Sequence, residues 1–307
     1  MQFPHISPET RLAKLRIPAQ KRRIVIDTDT YNEIDDQFAV TYALLSPDQM
    51  SVEAIYAAPF HNSRSDGAED GMEKSYEEIL RLLDRLGTPS DGFVFKGSTD
   101  FLTNELVPQD NPAVRDLIAK AMSSPDDDPL YVVAIGAITN VASAIILEPE
   151  IINKIVVVWL GGHALHWHDT KEFNLKQDVP AARLVLDCGV PFVLIPCAGV
   201  TSHLATTMPE INAYVRGVGR IGDYLAQTFE DYKPIQFGRS SVIWDISTIA
   251  WLINAEWVPT NIVHSPVLTD QVTWSVDQSR HMIRCATYIH RDPIFRDFFT
   301  KLKSNTE

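Results

Sequence analysis

One short stretch constrains this chain more than any other. Ile24-Val25-Ile26 runs directly into Asp27-Thr28-Asp29-Thr30-Tyr31-Asn32-Glu33-Ile34-Asp35-Asp36-Gln37-Phe38-Ala39. Three β-branched apolar residues read as a buried strand, and the turn that follows carries five carboxylates within ten positions. A polar turn after a buried strand is ordinary. Five like charges in it are not, because they repel one another and stay ionised only with a cation among them. The stretch therefore predicts a divalent-cation site at the carboxyl end of a sheet strand, where α/β proteins place their ligands.

The remaining chain alternates short apolar runs with helical periodicity, which predicts a largely parallel sheet wrapped by helices. Strands are expected at Arg23–Asp27, Val52–Ala58, Leu130–Ile135, Ile155–Leu160 and Phe192–Pro196. Helices are expected at Asp35–Leu45, Asp66–Leu86, Asn140–Leu147, Glu210–Phe229, Asp245–Ile253 and Pro293–Leu302. Another helix, capped by Asp178, contains Ala181–Leu186 and ends at Gly189. Gln271–Val276 and His281–Tyr288 read as an antiparallel pair. There is no repeat, low-complexity tract or Gly/Ser linker, so residues 1–307 are expected to form one domain, core about 22–290, with a helical and hairpin C-terminal elaboration.

Composition narrows the function. A net charge of −13 argues against nucleic acid, whose phosphates need a basic face, and against an anionic membrane surface. No apolar run is long enough to span a membrane. Three cysteines without a C-x-x-C pair fit a reducing compartment. The polar, basic first twenty-odd residues lack the apolar segment of a secretory signal, and a cytoplasmic location is expected. Among the acids, Asp27 and Asp29 lie two apart, so on extended backbone they point the same way. Asp35 and Asp36 open a helix, where free N–H groups favour a carboxylate. Asp35 taken alone could be a simple N-cap.

Two families place acids in this way. An apolar strand followed by Asp-x-Asp resembles the haloacid-dehalogenase-like phosphatases, which would make Asp27 a phosphoryl acceptor. The later strand ending in paired acids is missing, because Asp126-Asp127-Asp128 precedes a strand. A second resemblance covers residues 23 to 255 in order. Asp-x-Asp and then Asp-Asp, Gly136-Ala137-Ile138-Thr139-Asn140, Leu160-Gly161-Gly162, Glu172-Phe173-Asn174 with Asp178 and Ala181-Ala182, and Trp244-Asp245 together resemble the calcium-dependent nucleoside hydrolases. That resemblance implies an open, mostly parallel sheet with a Rossmann-like core, Ca2+ as cofactor, and a homo-oligomer, dimer or tetramer. It implies hydrolysis of a ribonucleoside's N-glycosidic bond, with Asp29 as general base on a calcium-bound water. Asp29, Asp36, Asp245 and the backbone carbonyl of Ile135 would be the metal ligands. Asp35, Asn62, Glu172 and Asn174 would hold sugar hydroxyls, and Asp27 would support the site from behind. The crowd of acids, with no glycine-rich phosphate cradle, favours a neutral nucleoside or related glycoside over a nucleotide.

Two departures from the family pattern bear on the substrate. Five residues, Thr30 to Ile34, separate the second Asp from the Asp pair, where the family has three. The insertion puts Asn32 and Glu33 at the mouth of the site, or else is a longer surface turn. It keeps open a non-nucleoside pentoside or modified sugar. Trp244 stands where one branch has a histidine that protonates the leaving base; purine-preferring members carry Trp there, so the chain leans towards a purine or a substrate whose leaving group needs no acid, unless the Trp is core packing. His163, His166 and His168 follow Gly161-Gly162. Their spacing matches no standard zinc motif, and one of them could supply the leaving-group proton. A non-catalytic sugar-binding protein is the remaining alternative, and it would not need a base beside a metal.

Overall fold

The computed structural model describes residues 3–17, 20–232 and 237–305. Six parallel strands form most of the central sheet: β1 (Arg22–Thr28), β2 (Met50–Ala57), β3 (Val94–Lys96), β4 (Leu130–Ala134), β5 (Ile155–Leu160) and β6 (Phe192–Ile195). The spatial order is β3-β2-β1-β4-β5-β6, extended by a parallel strand at Met282–Ala286 and an antiparallel edge strand at Thr260–His264. The chain runs outward from β1 to β3, then crosses back to lay β4 on the other side of β1. The order therefore reverses between β1 and β4. The crevice outside the carboxyl ends of those strands is where an open α/β sheet takes a ligand.

Both faces of the sheet are covered, which is why its strands are apolar throughout rather than alternating. Ile24 and Ile26 of β1 pack into one buried cluster with Phe38, Tyr42 and Trp251. Val25, one position out of phase, packs into the opposite cluster with Val132, Val157 and Leu194. Helix Asp35–Leu44 is buried from Asp35 through Ala43. It lies between the sheet and helices Ile246–Ile253 and Arg291–Ser304, so it has no solvent face to stabilise with charge. Its two acids are thus inside the protein for a reason other than solubility.

Several expectations about the C-terminal part are corrected. Gln271–Val276 and His281–Tyr288 do not pair with each other. Met282–Ala286 joins the main sheet beside β6, where Ile283 and Cys285 are buried in the core, while Trp274–Ser275 forms a two-residue ladder with Val267–Leu268. The helix expected at Glu210–Phe229 is two helices, Met208–Tyr214 and Gly219–Tyr232. Gly217 and Gly219 sit at φ of 79° and 66°, a left-handed conformation that interrupts the helical hydrogen bonds. Helices Pro8–Lys14 and Pro112–Met122 and strand β3 were not anticipated. Helix Pro112–Met122 starts with an Asn cap, the Asn111 side chain accepting from Val114 N–H, followed by proline.

Asn140 joins the strand ends. Its Nδ2 donates to Asp27 Oδ1 at 2.7 Å, and its Oδ1 accepts from Ser98 N at 2.8 Å and Ser98 Oγ at 2.7 Å. Asp27 is fully buried, and its other carboxyl oxygen has no partner. Replacing Asn140 with Ala strips a buried carboxylate and a backbone N–H at once. Urea denaturation should show a loss of about 2–3 kcal/mol; a loss within about 0.5 kcal/mol, the range of an ordinary surface substitution, would refute this role.

Candidate active site

The site is built by three segments that meet at the β1–β4 reversal. Asp29 follows β1, Asp35 and Asp36 open the next helix, and Asp245 precedes helix Ile246–Ile253. All four carboxylates are at most 4% exposed and line one cavity of about 260 Å³. Asp35, Asp36 and Asp245 each offer an oxygen within 4.8 Å of the other two. Asp29 borders that trio, and neither of its carboxyl oxygens has a hydrogen-bond partner. Ile34 occupies the helix N-cap position and no side chain caps there, so Asp35 is not the simple cap considered above.

Burial, and then repulsion from Asp36 and Asp35, holds the Asp29 carboxyl well above the usual carboxylate range. Burial and Glu33 do the same to Asp35, and burial with Asp35 and Asp36 to Asp245. Asp36 is pushed up to about 7 by burial, moderated by Thr28, whose Oγ1 donates to it at 2.5 Å. A donor set of hard oxygens in a shared pocket, with two orphaned oxygens on Asp29, fits a hard divalent cation.

The other predicted residues divide. Glu172 and Asn174 line the cavity, buried. The Glu172 carboxylate accepts from the backbone N–H groups of Gly162, Asn174 and Leu175, capping the short helix Phe173–Gln177. Asn174 Nδ2 donates to the carbonyls of Ile135 and Leu160 at 3.1 Å each, which ties the ends of β4 and β5 together at the pocket floor. Trp244 is half-buried and lines the same cavity. Asp27 does not line it; the extended strand stops at Thr28, and Asp27 turns to Asn140. Asn62 does not line it either. Its Nδ2 donates to Asn32 Oδ1 at 2.5 Å, and it faces an adjoining outer cavity of about 830 Å³.

The inserted residues are structural parts of the site rather than an exposed turn. Asn32 is buried and, like Glu33, lines both cavities. Tyr31 lies under the Arg64 guanidinium, 4.3 Å from ring centroid to Cζ. Of the three histidines, only His163 lines the inner cavity; His166 and His168 are exposed on the loop beyond it. Several contributors went unread in the sequence. Thr28 and Lys171 have no motif of their own, and the outer wall from Tyr224 and Tyr232 comes from a helix far along the chain. Only their adjacency in three dimensions reveals them.

Comparison with known proteins agrees with this geometry. A sequence profile described as "Inosine-uridine preferring nucleoside hydrolase" matches residues 24–296. A pyrimidine-specific ribonucleoside hydrolase, RihA of Escherichia coli O1:K1 / APEC, is 28% identical, the match covering 77% of this chain and 81% of that one. A purine-preferring ribonucleoside hydrolase from Gardnerella vaginalis superposes with a TM-score of 0.72 at 22% identity, over 93% of this chain and 99% of its own. An inosine-guanosine nucleoside hydrolase superposes with a TM-score of 0.71 at 19% identity, over 93% and 98%. The chain belongs to the nucleoside hydrolase family, whose members cleave N-glycosyl bonds, and has that family's α/β fold.

The raised carboxyls give a prediction with a definite sign. In the metal-free folded state the acids hold protons to higher pH than they do unfolded. Their contribution to stability is therefore greatest below the ordinary carboxylate range and is lost as pH rises through about 7, the value for Asp36. Chelator-stripped protein should melt at a lower temperature at about pH 7.5 than at about pH 5. Calcium at about 100 times its Kd should return about 2.7 kcal/mol at the higher pH. Differential scanning fluorimetry reads both; a melting temperature that rises with pH in chelator contradicts the account.

Proposed function

We propose that this protein hydrolyses the N-glycosidic bond of a ribonucleoside, with a preference for purines, and that it requires calcium. The observation that carries the reading is Asp29, a buried carboxylate with both oxygens unpartnered, beside the Asp35–Asp36–Asp245 trio. Asp29, Asp36, Asp245 and the Ile135 carbonyl are the residues we assign to the cation, with Asp35 directed to the sugar. When bound, the cation fixes a water and lowers its pKa.

The chain's own groups do the remaining work. Asp29 takes the proton of the attacking water as general base. The positive charge that grows on the sugar ring as the glycosidic bond lengthens meets fixed carboxylates in a site already held in place. Asp35, Glu172 and Asn174 are placed to bind and orient the sugar. Their backbone anchors keep them in position, so the orientation is set before binding. Trp244 offers an aromatic face to the departing base, and a purine presents the larger surface to stack on. The purine-preferring and inosine-guanosine neighbours support that preference; the pyrimidine-specific relative does not. Asp27 supports the β1 end through Asn140, and its burial away from the cavity argues against a phosphoryl acceptor there. Three buried, unpaired cysteines support a reducing, cytoplasmic setting. Among the described residues no helix is long and apolar enough to cross a membrane. The family resemblance supports a homo-oligomer, dimer or tetramer.

Release of reducing sugar from inosine, adenosine, guanosine, uridine and cytidine, with calcium or with chelator, tests the reading. Turnover is expected from the purine nucleosides, with loss in chelator and recovery with calcium. Asp29→Asn should lower kcat by about 10²–10⁴-fold, as expected for removal of a general base. No release from any nucleoside by calcium-loaded protein would overturn the ribonucleoside reading and point to a different pentoside accommodated by the Asn32–Glu33 insertion.

A further inference from the structure

Resting on that reading of the site, we infer that His163 is the leaving-group residue. It is held as the neutral imidazole with its hydrogen on Nε2, and it donates a hydrogen bond to a ring nitrogen of the departing base without giving up the proton. The argument begins with the backbone. Gly162 sits at φ +67°, and a Cβ there would lie 2.6 Å from Thr170 Oγ1 and 2.8 Å from the Trp274 ring, so the turn into His163 requires glycine. His163 N–H then donates to Thr170 Oγ1 at 2.9 Å, and its carbonyl accepts from Trp274 Nε1 at 2.9 Å. The loop is tied to the next strand end by Ala164 N–H donating to the Ala198 carbonyl at 2.9 Å.

The imidazole itself is fixed by the reciprocal contact. Ala198 N–H donates to His163 Nδ1 at 3.2 Å. A backbone N–H can only donate, so Nδ1 must carry a lone pair and the ring hydrogen must be on Nε2. An imidazolium would set two donors against each other at Nδ1 and is disfavoured. Burial lowers the ring's proton affinity further, and the nearby His168 adds to that, while Asp169 and the Gly162 backbone oppose it. The ring lines the cavity with Trp244 and Asp29. A neutral N–H in a cavity where negative charge develops can act as a preorganised stabiliser, the same logic as an oxyanion-hole donor. His166 and His168, exposed and outside the cavity, do not share the role.

The step balances without a proton from His163. The bond between C1′ and the base nitrogen breaks, and its electron pair leaves on the base. The water oxygen joins C1′ and loses one proton to Asp29. The hydrogen bond from Nε2 holds the base's negative charge until solvent protonates it.

The test compares two leaving groups on calcium-loaded enzyme. Inosine needs its departing anion stabilised; p-nitrophenyl riboside releases a nitrophenolate that is stable unaided. His163→Ala should lower kcat on inosine by about 10²–10³-fold, the loss typical of one such donor. Its loss on the nitrophenyl riboside should be smaller by at least about 30-fold, because the interaction is made to the leaving group alone. His163→Gln, which keeps an N–H donor, should recover part of the inosine rate. Equal losses on both substrates would mean a structural role, and a loss below about threefold on inosine would mean none; either result overturns the inference. Wild-type enzyme that cleaves neither compound would overturn the proposed function and this inference together, whereas an active wild type with an unaffected variant would overturn this inference alone.

Discussion

Four buried carboxylates share one cavity, and the surrounding structure is arranged around that fact. Two ionised oxygens within 4.8 Å of each other repel by roughly 3 kcal/mol or more at an effective dielectric near 20. A folded chain would not bring Asp245 from far along the sequence to join Asp29, Asp35 and Asp36 without something to oppose that repulsion. A hard divalent cation converts the liability into binding energy. Without one, these acids hold protons to higher pH than in the unfolded chain, where carboxyls ionise in the ordinary acidic range. On the proposed function, metal affinity, pH response and catalysis would be consequences of one electrostatic arrangement.

The layer behind the acids explains why they stay in place. Thr28 orients Asp36 from the end of β1, Asn140 fixes Asp27 and the Ser98 turn, and Asn174 straps the carbonyl ends of β4 and β5. Gly136 leaves room for Asp29: a Cβ at that position would lie 3.1–3.2 Å from the Asp29 side chain. These are neutral donors and small residues. They position charge without neutralising it, so the full field of the carboxylates remains for cation and substrate. The outer cavity, with Tyr31 beneath Arg64, continues the pocket away from the acids and is reached past the Asn32–Glu33 insertion.

Much of this was legible in the chain. The run Ile24–Ile26 followed by five acids located a sheet strand and the acid-lined cavity at its end, because apolar pattern and charge crowding are both local properties. The Asp178 cap was legible for the same reason: its side chain accepts from Ala181 N–H, three residues on. Strand partners were not. Met282–Ala286 pairs with β6, almost ninety residues earlier, and with Thr260–His264; nothing in its own composition says which neighbour it will choose. Asn62, expected at the sugar, donates to Asn32 of the insertion and lines the outer cavity, a contact between distant parts of the chain that composition does not reveal. The break near Gly217 and Gly219 was written in the sequence, but apolar spacing on either side obscured it.

The most direct measurement is calorimetric titration of calcium into chelator-stripped protein near neutral pH, repeated in two buffers of different ionisation enthalpy. The account predicts one site per chain and net proton release on binding, because the cation displaces protons from the raised carboxyls. Asp245→Asn should abolish or greatly weaken that site. Calcium binding without proton release, or binding unchanged in the Asp245 variant, would contradict the claim that these carboxylates are gathered to hold a cation.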